Sequence, residues 1–382
     1  MSKVKIGVVG CGAIAQVHHI PWLTELSEEY EITGVCDVSK EAVNYVSNWW
    51  KVPNSFTNYK DLLDSDIDAV LLCQTDPKTK VALEAIEKNK HVFIEKPVTL
   101  NLEDIDLLID AEQKNNVIVQ TGYMKLFEPA FEMALSESKK MKDISLVEIR
   151  HIHPNNDLHV KQFRTKRFND IPKTIIKKTQ EEGKQAIDLA INNDVPQIRS
   201  AYGTISGSAI HDMYGLRTIM GVPEKVVKTE IWGEGDYCKA VNTILSYKNG
   251  ARAIITWIDL PDLWDFDETL KIYGDSKRLT VSYATGFSKN QSSLLIQDMD
   301  DGIPQRKEPL LSWESPFRRE LRHFHSLING TISENRAPLK NARLDISLNI
   351  DIIKSYIKNS EIKINNNITE DLSWIRNYWN KK

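Results

Sequence analysis

Cysteine is scarce and unpatterned. Cys11, Cys36, Cys73 and Cys238 are the only four in 382 residues. No CxxC pair links them, so neither a disulfide framework nor a thiolate metal site organises the chain. No apolar run approaches the ~18 residues that a membrane helix needs. No block of like charge stands out either. With 49 Lys+Arg against 53 Asp+Glu, the net charge is only −4, which argues against nucleic acid as a partner. Internal repeats and low-complexity tracts are missing. Hydrophobic residues make up 41% and charged residues 27%, ordinary usage that excludes disorder as the main state. The opening MSKVKIGVVGCG has too short an apolar core for a signal peptide and reads as a buried strand. Free, apolar-flanked cysteines then predict a reducing, cytoplasmic setting.

What is present is a rhythm. Up to about residue 124, short β-rich runs alternate with helical patterns, the order that builds a parallel sheet. The strands are read as Val4–Val9, Glu31–Cys36, Ala69–Gln74, His91–Ile94 and Val117–Thr121. The helices between them are read as Ala13–Leu26, Lys40–Trp49, Thr79–Asn89 and Leu102–Lys114, the last opened by Asn101 with Asp104 three residues on. After Gly122 the rhythm changes. Phe127–Ser138 reads as helix and Ser145–Ile152 as strand. Residues 160–200 are Lys- and Gln-rich and predict a helical insertion, either a solvated face or a lid over a cleft. Successive strand-like runs from Val226 to Ile296, broken by turns such as Asn249-Gly250, predict an antiparallel sheet. Helices are expected at Pro316–Asn329 and Ala342–Asn359, followed by a tail from Glu361 that carries two tryptophans. The predicted class is therefore α/β. An N-terminal doubly wound parallel sheet (residues 1–124) precedes an α/β domain with a large open sheet (residues 125–382).

The run GVVGCGAIA places Gly10, Gly12 and Ala15 between the first strand and a helix. In that context Gly10 permits a tight turn, Gly12 lets a pyrophosphate approach the backbone, and Ala15 keeps helix and sheet close. Asp37 ends the second strand, where an acid accepts both ribose hydroxyls and repels a 2′-phosphate. NAD is expected over NADP, with Lys40 as a possible moderating charge. The predicted cofactor contacts are Gly10, Cys11, Gly12, Ala13, Ile14, Asp37, Val38, Thr75, Glu95, Lys96 and Gln120. Glu95-Lys96-Pro97 closes the strand HVFI, at the carboxyl edge where parallel sheets bind ligands. A lysine there can steady a substrate oxygen as hydride leaves.

With these motifs in order, the chain resembles the glucose-fructose oxidoreductase / inositol dehydrogenase / MocA family. The resemblance runs through VLLCQTDPKTKVALEAIEKNKHVFIEKPVTL, TGYMKLFEPAF and SGSAIHDMYGLRTIMGVPEKV. It implies a Rossmann domain joined to an α/β domain whose open sheet often forms a homodimer or homotetramer interface. It also implies NAD(P)-dependent hydride transfer on a small polyhydroxylated substrate: a sugar, cyclitol or sugar derivative. Lys96 matches the family lysine and His211 the family histidine, the usual proton acceptor. The family's frequent carboxylate four residues before the histidine is Gly207 here, and the Asp three residues after it is Tyr214. Asp212 is expected to project to another side of the helix. Substrate contacts are expected from Tyr123, Lys125, His153, Asn155 and Tyr214. His151, His153, His159 and Asp157 fit no zinc spacing, so no metal is expected. The missing carboxylate leaves two alternatives to a dehydrogenase: a nucleotide-binding protein without turnover, and an NAD-dependent glycoside-cleaving enzyme.

Overall fold

In the computed structural model, which describes residues 3–288, 290–300 and 302–366, two sheets divide the chain. Strand β1 (Val4–Val9) leads through a π-helical turn, Ala15–His19, into α1 (Ile20–Glu25). There follow β2 (Tyr30–Cys36), α2 (Lys40–Trp50), β3 (Asn54–Phe56), α3 (Tyr59–Leu63), β4 (Ala69–Leu72), α4 (Thr79–Glu87), β5 (His91–Glu95), α5 (Leu102–Asn115) and β6 (Val119–Gly122). Every pairing in this first sheet is parallel, in the order β3-β2-β1-β4-β5-β6. Its central strands are apolar on both faces because helices cover both. Ile6, Val8, Ala69 and Leu71 enter one core, whereas Val9, Val70 and Leu72 enter the other. Asn101 caps α5 as expected, its Oδ1 accepting the Asp104 N–H at 2.8 Å.

Helix α6 (Pro129–Ser138) hands the chain to β7 (Ile144–His153), α7 (Asp157–Val160), α8 (Lys173–Ile191), α9 (Pro196–Thr204), a second π-helical turn Ile205–Ala209, and α10 (Ile210–Met220). Strands β8 (Lys225–Trp232), β9 (Ala240–Ser246), β10 (Arg252–Asp259), β11 (Asp267–Gly274), β12 (Lys277–Tyr283), β13 (Ser293–Asp300) and β14 (Ile303–Lys307) complete the second sheet, in the order β14-β13-β12-β11-β7-β10-β9-β8. All its pairs are antiparallel except β7 with β10. Helices α11 (Pro316–Ile328) and α12 (Leu339–Asn366) follow. No described helix is long and apolar enough to cross a membrane.

Several boundaries differ from the sequence reading. The strand read as Ala69–Gln74 stops at Leu72, and the helix read as Ala13–Leu26 contains the π turn and ends at Glu25. Strand β3 and helix α3 are too short to leave a period in the sequence. The stretch 160–200 splits: α8 is a largely exposed helix, but residues 163–170 lie against the nucleotide domain. A cut at residue 124 separates the sheets but not the packing, because Leu321 and Phe324 of α11 return to the first-sheet core beside Phe93. The tail tryptophans, Trp374 and Trp379, lie outside the described residues.

Candidate active site

The glycine turn is enforced by space. Gly10 has φ +95°, and a Cβ there would meet the Gln74 backbone nitrogen at 2.4 Å. A Cβ on Gly12 would meet nothing within 4 Å, so the turn is open on the side where a pyrophosphate would lie. Asp37 follows β2 and accepts the Cys11 N–H at 2.7 Å through Oδ2 and the Ser39 N–H at 2.9 Å through Oδ1. Each oxygen keeps lone pairs for ribose hydroxyls. The buried amide of Gln74, at the end of β4, has neither oxygen nor nitrogen paired. An open glycine turn, an oriented acid and an orphaned amide fit a dinucleotide.

Val38 and Thr75 are exposed near these groups. Gln120 is corrected by the structure. Its Nε2 donates to the Glu320 carbonyl at 2.9 Å and its Oε1 lies 2.8 Å from His323 Nδ1. Both ends of the side chain therefore tie β6 to α11, and the residue is fully buried.

The π turn carries His19 beneath the end of β5, where His19 Nε2 meets Glu95 Oε1 at 2.6 Å. The other Glu95 oxygen accepts the Lys96 N–H at 3.0 Å. Lys96 is thus held by its own backbone, and its ammonium donates to the Gly207 carbonyl at 2.7 Å. Burial, reinforced by the cations Lys78 and Lys125, lowers its pKa.

Lys96, His211, Lys125, His153, Glu268 and Asn156 are among the residues around a cavity of about 290 Å³, which also touches Ile14 of the glycine loop. Here the second sheet meets the carboxyl edge of the first. His211 opens α10 and is pushed well below the usual imidazole range by burial and then by Lys96 and Lys125, so it is neutral at physiological pH. A second cavity of about 790 Å³ shares Met124, Thr285, Gly286 and Phe317 with the first.

The carboxylate absent at Gly207 has a counterpart that sequence reasoning missed. Glu268 projects from β11 into the cavity wall and forms a buried ion pair with Lys125. Burial, with the neighbouring charge of Asp212, raises its pKa to about 7 despite Lys125. Asp212 leaves α10 on a different side from His211. It is buried and accepts from His151 Nδ1 at 2.9 Å. The side of α10 left over by His211 is the side facing the sheet, where β7 presents His151 and β11 presents Glu268.

Tyr123 and Tyr214 are also corrected. They stack on each other with ring centroids 4.0 Å apart, fully enclosed, so both support the site from behind. Asn155 is exposed and binds its own loop by accepting the Asp157 N–H, while its neighbour Asn156 reaches His153 at 3.1 Å. His151, His153, His159 and Asp157 do not form a group with metal-ligand spacing among the described residues. His151 turns to Asp212, His153 lies between His151 and Asn156, and Asp157 pairs with Arg167.

Comparisons with known proteins bear on this geometry. Residues 4–123 match a profile described as an oxidoreductase family with an NAD-binding Rossmann fold, GFO_IDH_MocA. Over these residues the chain belongs to the Gfo/Idh/MocA oxidoreductase family. It is an NAD(P)-dependent dehydrogenase or reductase of the type that acts on CH–OH groups. A myo-inositol 2-dehydrogenase from Thermotoga maritima is 25% identical over 286 residues, covering 72% of this chain and 74% of that protein. An inositol 2-dehydrogenase from Salmonella typhimurium is 31% identical over 132 residues, or 34% of this chain and 39% of that protein. A 3-ketoreductase from Actinomadura kijaniata, solved with NADP and TDP-benzene, shares the fold with a TM-score of 0.70. It is 15% identical, over 93% of this chain and 98% of that one.

Proposed function

We propose that the protein is an NAD-dependent dehydrogenase of a sugar, cyclitol or related polyol, with His211 and Lys96 as its acid/base and polarising groups. The observation that carries this reading is the convergence of Lys96, His211, Lys125 and Glu268 on one cavity beside the glycine turn. A non-catalytic nucleotide binder has no need of that set. Bound nicotinamide would exchange hydride with a substrate carbon; the chain's own residues must bind, orient and move the proton. Lys96 donates to the reacting oxygen and steadies its negative charge. Glu268, Asn156 and His153 offer hydrogen bonds to neighbouring hydroxyls. A homodimer or homotetramer is part of the same proposal, supported by Val227, Trp232, Met299 and Ile303, which are exposed on strands β8, β13 and β14.

Tyr214 decides how His211 is set. Its hydroxyl oxygen accepts the Lys125 N–H at 3.1 Å and lies 2.8 Å from His211 Nδ1. The phenol has one proton, and among the described residues Nδ1 is its acceptor. Were Nδ1 protonated instead, a buried O–H would be left unpaired, at a cost of about 1–3 kcal/mol. Neutral His211 therefore carries its proton on Nε2 at rest, ready to donate to a carbonyl oxygen. Oxidation of a hydroxyl uses the opposite tautomer, in which Nε2 accepts the hydroxyl proton and His211 becomes the imidazolium, its Nδ1–H donating to the Tyr214 oxygen. A bond made to the neutral imidazole lowers its pKa. Tyr214→Phe is expected to move the acid limb of kcat/KM to higher pH and to lower kcat/KM by about 10–100-fold. An unchanged pH profile would show that Tyr214 does not set the histidine.

The reading as a whole is tested by titrating cofactor-stripped protein with NADH and NADPH, followed by a screen of myo-inositol, its stereoisomers and common aldoses with NAD. Tight NADH binding and NADH production from one of these polyols are expected. Binding of neither dinucleotide would overturn the proposal.

A further inference from the structure

The first turn of α2 ends the strand–acid–helix run that faces the adenosine ribose, and its donors are already engaged. Ser39 caps the helix, its hydroxyl oxygen accepting the Ala42 N–H at 3.0 Å. The same hydroxyl donates to Asp170 Oδ1, and the Glu41 N–H donates to Asp170 Oδ2 at 3.0 Å. The Lys40 N–H adds a further interaction with this carboxylate. These bonds, led by that from Ser39, hold Asp170 below the usual carboxylate range.

Asp170 arrives on a strap from the other half of the chain. Residues 163–170 are tied to the nucleotide domain at points besides Asp170. The Gln16 amide and the Lys166 backbone exchange two bonds, at 3.0 and 2.9 Å. The Tyr45 hydroxyl donates to the Arg164 carbonyl at 3.0 Å. The Lys166 ammonium stands 4.8 Å above the Tyr45 ring and the Arg164 guanidinium 5.9 Å from the Trp49 ring. The strap therefore spans from the helix after the glycine turn to α2, and it presents a carboxylate to the donors that follow Asp37.

In a Rossmann domain a 2′-phosphate projects from the ribose that the strand-end acid holds, towards the residues just after that acid. Those residues are Val38, Ser39, Lys40 and Glu41. We propose that Asp170 is a built-in substitute for the 2′-phosphate. It occupies the hydroxyl and N–H groups that NADP would need, and its charge joins that of Asp37 in repelling the phosphate. Cofactor choice then depends on the strap as well as on Asp37. Lys40 is the one side-chain cation in residues 38–41, and its backbone N–H is engaged by Asp170.

The inference rests on the dinucleotide reading above, and one experiment separates the two. NADH and NADPH are titrated against wild type, Asp170→Asn and Asp170→Ala, read by nicotinamide fluorescence. The wild type is expected to prefer NADH. Both variants are expected to narrow the ratio of the two dissociation constants by at least about tenfold, chiefly by tighter NADPH binding. Asp170→Asn keeps the size and one acceptor and removes the charge, so it covers the case in which Asp170→Ala loosens the strap. NADH binding with an unchanged ratio in both variants would overturn the role of Asp170 alone. So would a wild type that does not discriminate. A wild type that binds neither cofactor would overturn the dinucleotide reading and this inference with it.

Discussion

Lys96→Ala and His211→Ala are each expected to lower kcat by about 10²–10⁴-fold while NADH still binds. In the proposed reading the two residues act on the same substrate oxygen by different means. Lys96 supplies charge, and its approach is fixed at both ends: the Glu95 carboxylate holds its backbone N–H and the Gly207 carbonyl receives its ammonium. His211 moves the proton, and burial beside two cations keeps it neutral. The sign of that shift matters for pH dependence. A pKa pushed well below 6.5 means that lowering the pH from 8 to 6 does not protonate His211, so this group imposes no loss of activity over that range. Removing Lys96 takes away one of the repelling cations, and the His211 pKa is expected to rise. Residual activity of Lys96→Ala should therefore fall earlier on the acid side than that of the wild type. Steady-state rates from pH 5 to 9, with NADH affinity measured in parallel, check both statements. A variant that keeps near-wild-type kcat would remove that residue from the chemistry.

The legible parts of this protein are those whose chemistry is local in the chain. Gly10, Gly12 and Asp37 sit on one strand–turn–helix unit, and the structure gives Gly10 the positive φ of a tight turn and holds Asp37 against the Cys11 N–H of that turn. Lys96 and His211 were named from their motifs, and the fold places both on one cavity. What stayed hidden was set by partners distant in sequence. Glu268 lies in β11 between residues that read as ordinary alternation; an acid in phase with the buried Leu270 and Ile272 was the only local sign that it faces inwards. The partner of Asp212 was hidden because helical phase says that it diverges from His211 but not that a sheet lies there. Tyr123, Tyr214 and Gln120 are polar residues at the right positions, yet each directs its polar end into the protein. Asp170 has no motif at all. It acquires a role because a segment more than a hundred residues away crosses α2.

The Lys125–Glu268 pair is where a single change should cost the most stability. Both side chains are almost completely enclosed, at 8% and 1% exposure. Their neighbours are charged too, since Glu268 also faces Asp212, which His151 balances. Two carboxylates share one enclosed space, and burial with the charge of Asp212 makes Glu268 hold a proton more readily than an ordinary carboxylate. Lys125→Met leaves two acidic groups with only His151 between them. Glu268→Ala takes from the ammonium its one hydrogen-bond acceptor among the described residues, leaving it the face of the Tyr283 ring, 4.5 Å away. Either change is expected to lower unfolding stability by about 3–5 kcal/mol, the range for stranding one member of a buried pair. The double variant Lys125→Met/Glu268→Gln removes both charges together and should recover at least half of the loss, because the desolvation of both ions disappears with their attraction. Activity should not recover with it. The cavity keeps its volume but loses two of the groups that grip hydroxyls, so KM for the polyol is expected to rise in all three variants. Denaturant melts and steady-state kinetics on the four proteins separate the two roles. If the double variant regained both stability and KM, the pair would be a packing element with no part in substrate recognition.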